Sequence, residues 1–261
     1  MSNSMLRYQR GFTLIEMSIV LVIIGLIVGG ILKGQELIES SRQKNLISQI
    51  DRIKSSTTTF VDRFKGLPGD FNRVALLPNS ALLTGGNDNG VVGAISSNTT
   101  DLRGMGSTVQ SSENTQYFNH LVAANLGSGG SVAGTGVTIS CFAGLCATSS
   151  PLPPAAFPQS GLTLHYGTHE GGTAGGGTAA AKQVHWLLLS RFLTAGTLGG
   201  GSTDGAVSPE RAFQIDNKYD DGNSGAGNIR STFIGTGCGV TGTDYTPTVT
   251  DVNCHLLFSL E

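Results

Sequence analysis

Between Phe12 and Leu32 the chain runs for 21 residues with one charged side chain, Glu16. At about 1.5 Å of rise per residue, such a run makes a helix of about 30 Å, the thickness of a bilayer's hydrocarbon core. A segment this apolar spans a membrane. A lone carboxylate inside it costs about 2.5–3.5 kcal/mol near the helix centre and less near an interface, so Glu16 needs a functional reason and a partner. Arg7 and Arg10 precede the span. Because positive residues stay on the cytoplasmic side, the N-terminus is expected in the cytoplasm and everything after Lys33 outside it. A secretory signal peptide has a shorter apolar region, about 7–15 residues, closed by a small-residue cleavage site. No such site follows closely here.

The order Arg10-Gly11-Phe12-Thr13-Leu14-Ile15-Glu16, followed by the long apolar stretch, resembles the start of the type IV pilin family, the prepilins and secretion-system pseudopilins. A plain single-pass anchor would fit the length but gives no reason for that order. The resemblance implies a leader over residues 1–11, cut between Gly11 and Phe12 by a prepilin peptidase on the cytoplasmic face, and methylation of the new Phe12 amine. It further implies that Glu16 pairs with the terminal amine of a neighbouring subunit as a filament grows. A charge held in lipid gains more from such a pair than one already in water, although the pair largely offsets desolvation.

After Lys33 the apolar pattern becomes one-sided. Leu46, Ile50, Ile53, Phe60 and Phe64 recur at steps of three and four residues, with Thr57 in the intermediate place. One helix over residues 12–65 is expected to serve two solvents. Its transmembrane part, 12–32, would pack on other subunits, and its amphipathic part would lay an apolar stripe on a globular head. Gly66-Leu67-Pro68-Gly69 ends it. Gly25, Gly29, Gly30 and Gly34 fall at small-xxx-small spacings, which suits close helix approach, local melting or ordinary transmembrane glycine alike. Many pilins melt a Gly-to-Pro segment on assembly, and here the Pro is missing.

Residues 66–261 read as one periplasmic or extracellular head, within the usual size of a single domain. The 38 glycines of the chain are about twice the ordinary frequency and cluster in runs such as Gly199-Gly200-Gly201, which predicts long surface loops. Helices are expected over 113–126 and 179–193. Short strands are expected over 132–142, 162–166, 212–216, 229–234 and 255–260, separated by turn residues as in an antiparallel sheet. The expected class is α+β, a long N-terminal helix packed on an antiparallel-sheet head, the arrangement of type IV pilins.

Cys141, Cys146, Cys238 and Cys254 in an exported head are expected to be bridged. Three pairings exist, and Cys141–Cys146 with Cys238–Cys254 closes the most local loops. The second would pin the C-terminal segment as terminal disulfide loops do in many pilins. No Cys-x-x-Cys spacing supports zinc. Asp216, Asp220, Asp221 and Asn223 crowd a Gly turn with hard oxygen atoms that would suit calcium. The spacing departs from an EF-hand, since Lys218 stands where a ligand belongs and Gly227 where a bidentate Glu is needed. A solvated Asp-Gly turn is the competing reading. Some pilins and pseudopilins carry a structural calcium late in the chain, and this segment is similar to theirs in place and composition.

No enzyme is expected. His165, His169 and Glu170 are not in zincin order, and a Gly-rich stretch follows them in place of a helix. Nucleophile-elbow, phosphate-loop and dinucleotide fingerprints are missing. Asn98-Thr99-Thr100 is a formal glycan acceptor pattern. Without the leader the chain has 14 basic and 18 acidic residues, which does not suit nucleic acid as the main ligand. The resemblance thus implies a structural subunit of a type IV pilus, major or minor. Its partners would be prepilin peptidase, other pilin subunits, the inner membrane and the assembly machinery, with the filament at the cell surface. A type II secretion pseudopilin is the alternative. A membrane-tethered enzyme or binding protein is a third class, using the helix only as an anchor.

Overall fold

The computed structural model describes residues 13–78, 80, 83–92, 112–127, 155–158, 160–169, 182–191, 205–231, 237–239 and 245–261. The chain divides into two compact units, one ending at Lys44 and one beginning at Asn45. Helix α1, Leu14–Phe64, starts in the first unit and ends in the second.

In the first unit the apolar side chains of α1 are exposed on every side, Leu14 at 92% and Leu26 at 76%. The helix is long and apolar enough to cross a membrane. An all-round apolar surface of this kind is stable when lipid or other helices cover it. Lys33 Nζ lies 2.6 Å from Glu36 Oε2, so the first charges beyond the apolar run pair along the helix.

In the second unit the stripe read from the sequence meets a core. Leu46, Ile50 and Phe60 are buried, and Ile53 and Phe64 are packed against the same cluster. The Thr57 hydroxyl bonds the Tyr117 hydroxyl of α2, Ser112–Ala123, and donates to Ile53 O at 2.8 Å. Thr57 thus continues the stripe by satisfying a buried phenol, which burial holds far above its ordinary pKa.

Four antiparallel strands follow: β1, Ser160–His169, β2, Lys182–Arg191, β3, Ile229–Ser231, and β4, Leu256–Ser259. Their order across the sheet is β1-β2-β4-β3. The register aligns Leu164, Leu187, Phe258 and Ile229 in one row, all members of the main core. On the opposite face Val184, Trp186, Leu188 and Leu257 form a second buried cluster. The Arg230 guanidinium stands 5.3 Å from the Trp186 ring centre, and Trp186 Nε1–H donates to Gly167 O at 3.2 Å.

Two expected elements are corrected. Residues 179–193 were expected as a helix, but 182–191 form β2. Trp186, Leu187, Leu188 and Leu189 are all buried because the sheet is covered on both faces, and such a continuous apolar run matches a helical spacing as well as an alternating one. Residues 212–216 were expected as a strand, but belong to helix α3, Pro209–Tyr219, with Ser208 at its N-cap position and Pro209 in the first turn. Ala212, Ile215 and Asp216 are its buried side. The expected helix 113–126 matches α2 within its ends, and 162–166, 229–231 and 256–259 lie in strands. The expected strand 132–142 lies outside the described residues.

After α1, Lys65 takes φ 56° and Gly69 φ 91°. The Gly69 turn is forced by space as well as by backbone angle, because a Cβ there would come within 2.6 Å of Glu113 O. Gly90 has φ 84° but nothing within 4 Å of a built Cβ. Gly69→Ala is expected to destabilise the head by about 2–3 kcal/mol and Gly90→Ala by about 1 kcal/mol. The pair of shifts is measured by thermal unfolding of the full chain in detergent, followed through Trp186, the chain's one tryptophan.

Candidate functional site

The start of α1 is built by a reciprocal cap. Thr13 Oγ1 accepts the Glu16 N–H at 3.3 Å, while Glu16 Oε2 accepts the Thr13 N–H and hydroxyl, each at 2.8 Å. This is a capping box, in which residues three apart satisfy two of the amide groups that a helix start leaves open. The carboxylate expected to seek an amine on another subunit is therefore partnered within its own chain by Thr13, a role not read from the sequence. The Thr-x-x-Glu spacing carries the signal, but the apolar run around it draws attention to the missing charge partner instead. Gly11 and Phe12 lie outside the described residues.

The second candidate lies at the end of α3. One oxygen from each of Asp216, Asp220 and Asp221 falls within 4.8 Å of the others. Asp216 is buried, its Oδ2 accepting the Tyr245 hydroxyl at 2.9 Å and its Oδ1 the Gly222 N–H at 3.2 Å. Burial pushes the Asp216 carboxyl up to about 7; the two hydrogen bonds oppose the shift, and the charges of Asp221 and Asp220 add to it. Asp220 Oδ2 accepts the N–H groups of Asn228 and Ile229, the latter at 2.8 Å. Asn223 Oδ1 accepts the Gly225 N–H at 3.0 Å within the turn.

Three carboxylates suit a divalent cation in charge, but they supply about half the six to eight oxygens that calcium takes. The hydrogen bonds already made by Asp216 and Asp220 give these groups structural work with or without an ion. They bind the end of α3 to β3 and to Tyr245, a partner 29 residues away that no local pattern announces.

Cys238 and Cys254 are bonded to each other. Both are fully buried, and their neighbours form short bridges, Val207 with Cys254 and Cys238 with Tyr245. The disulfide, Tyr245 and Asp216 thus form one connected anchor. Cys141, Cys146 and Asn98 lie outside the described residues. His165 and His169 belong to β1, a strand, and Glu170 lies outside the described residues.

Residues 6–32 match the prokaryotic N-terminal methylation motif. No curated protein and no solved structure matches the chain. The matched residues coincide with the capped, apolar start of α1 and exclude the head. The match identifies this chain as a bearer of the N-terminal methylation motif, the signature of type IV pilins and pseudopilins.

Proposed function

We propose that this chain is a structural subunit of a type IV pilus, processed at Gly11–Phe12 and assembled through α1, and that it is not an enzyme. The observation that carries the reading is the methylation motif over 6–32 on a helix whose apolar side chains are exposed on every side. A membrane anchor alone needs length and hydropathy, and neither gives a reason for the methylation motif at the start of the helix. The head, with its own core and a disulfide, suits a life outside the cytoplasm. In this reading the N-terminus is cytoplasmic and the head periplasmic before assembly.

The deciding measurement is N-terminal peptide mass spectrometry on protein sheared from cells, beside the membrane fraction. A chain beginning at methylated Phe12 in sheared fibres supports the pilus subunit. The same processed chain held only in membranes supports the pseudopilin reading, and an unprocessed start supports the tether.

Glu16→Ala and Glu16→Gln separate two roles of the carboxylate. Glutamine retains a capping acceptor and loses the charge, whereas alanine loses both. Both variants are expected to insert into the membrane and to lower fibre yield about tenfold or more, the factor that about 1.4 kcal/mol makes in an association constant. Wild-type yield from Glu16→Gln would remove charge pairing from the account. Gly11→Val is expected to block leader removal, seen as a precursor heavier by residues 1–11 on a denaturing gel; normal processing would count against peptidase recognition.

A second reading concerns Asp216, Asp220 and Asp221, whose convergence within 4.8 Å supports calcium as a structural ligand of the head. Millimolar calcium is then expected to raise the unfolding midpoint relative to chelator, and Asp220→Asn to abolish the difference. Equal midpoints in the two buffers leave the cluster as a hydrogen-bonded turn.

A further inference from the structure

The segment that follows α1 is held to the head by ring nitrogens. His120, fully buried on α2, accepts the Gly69 N–H through Nδ1 at 2.9 Å, and its Nε2 donates to Thr84 O at 3.1 Å. His185 on β2 accepts the Val92 N–H through Nε2 at 3.1 Å. A ring nitrogen accepts a hydrogen bond only when it carries no proton, so both arrangements require a neutral imidazole. Protonation turns each acceptor into a donor facing another donor, and the bond is lost.

We propose that residues 67–71 and 83–92 form an acid-released strap, fastened to the head at both ends by histidines that accept backbone N–H bonds. The surroundings of the two rings favour the fastened form. His120 meets the Phe60 ring from α1, Phe71 and Gly69 from the turn, and Thr84 from the loop, all uncharged. Desolvation lowers its pKa, against the bond to Thr84. His185 meets the Tyr166 ring across the strands at 4.8 Å and Val92 from the loop. Burial lowers its pKa too, and the charge of Asp70 opposes this.

Asp70 is itself one of the fastenings of the strap. It is 1% exposed, and its two oxygens accept the Asn89 N–H at 3.0 Å and the Gly90 N–H at 2.7 Å. Glu113 Oε1 accepts the Asn87 N–H at 3.1 Å, and Arg73 pairs with Asp88 at 3.8 Å on the outer side. The middle of the loop is thus held by carboxylates and its two flanks by histidines. Of these side-chain types, histidine is the one whose ordinary pKa falls between neutral and mildly acid conditions.

The sign follows from the direction of the shifts. Both folded-state pKa values lie below histidine's ordinary value of about 6.5, so the fastened state binds fewer protons than the released one. The strap is fully fastened above that value and loosens as pH falls below it. At about pH 5 each histidine that stays neutral while fastened favours release by up to about 30-fold. Release uncovers Phe71, whose ring lies 5.6 Å from Phe60 and 5.7 Å from Phe64. The consequence is a softer seat for the second half of α1. The inference does not depend on whether the chain assembles into fibres.

The test is hydrogen exchange with mass spectrometry on the full chain in detergent at about pH 7.5 and about pH 5.0, on either side of 6.5, each corrected for intrinsic exchange. Peptides covering Gly69 and Val92 are expected to lose protection tenfold or more at the lower pH, while β2 and β4 peptides keep theirs. In His185→Gln, whose side-chain oxygen accepts the Val92 N–H without titrating, the Val92 peptide is expected to keep its protection while the Gly69 peptide still loses it. Unchanged wild-type protection overturns the proposal. So does equal loss across the whole head, which would assign acid sensitivity to His255, a buried ring whose Nδ1 has no hydrogen-bond partner among the described residues and whose pKa burial lowers to about 4. Equal loss at Val92 in His185→Gln and in the wild type also overturns it; should that variant not fold, the wild-type comparison alone decides.

Discussion

One helix has to satisfy two environments, and the rest of the molecule depends on how its composition changes along its length. Up to Leu32 the side chains of α1, Glu16 and Ser18 apart, are apolar in every direction, which is tolerable only where no water reaches them. From Leu46 onwards they are apolar on one side, and that side holds the head's core together from beneath the Phe71 and Tyr117 rings. Polar residues at the changeover pair along the helix, as Lys33 does with Glu36 and Arg42 with Glu39. A chain that was one-sided throughout would not stay in lipid, and one apolar throughout would not present a soluble head.

The head answers with a sheet buried on both faces. The row Leu164, Leu187, Phe258 and Ile229 belongs to the main core, and the Trp186 cluster occupies the reverse side. Arg230 survives at 4% exposure because its guanidinium lies over an indole and its Nε–H donates to Gly227 O. Cations of this kind are weakly hydrated and stack well on aromatic faces, which lowers the cost of burying them.

What could be read in advance follows the range of the interaction involved. The stripe on α1 was legible because 3.6-residue periodicity is written in consecutive residues, and its Thr57 gap was legible for the same reason. β2 was not legible, since burial on both faces removes the alternation that marks a strand. The helix Pro209–Tyr219 had a Ser-Pro-Glu start in the sequence that outweighs its few β-favouring residues. At the candidate site Glu16 stood out as a charge in the wrong solvent, while its own-chain partner Thr13 was hidden by proximity. Tyr245 and the two strap histidines depend on contacts between distant segments, for which a single sequence holds no pattern.

The Cys238–Cys254 bond closes the connection between β3 and β4 into a covalent ring, with a separation of 16 residues between its ends. In the sheet β4 is an interior strand, flanked by β2 on one side and β3 on the other, although it is nearly the last part of the chain. A protease that cuts inside the ring leaves β4 tethered to the body through sulfur. The head can therefore be nicked inside this ring and still retain the strand whose loss would split its sheet in two.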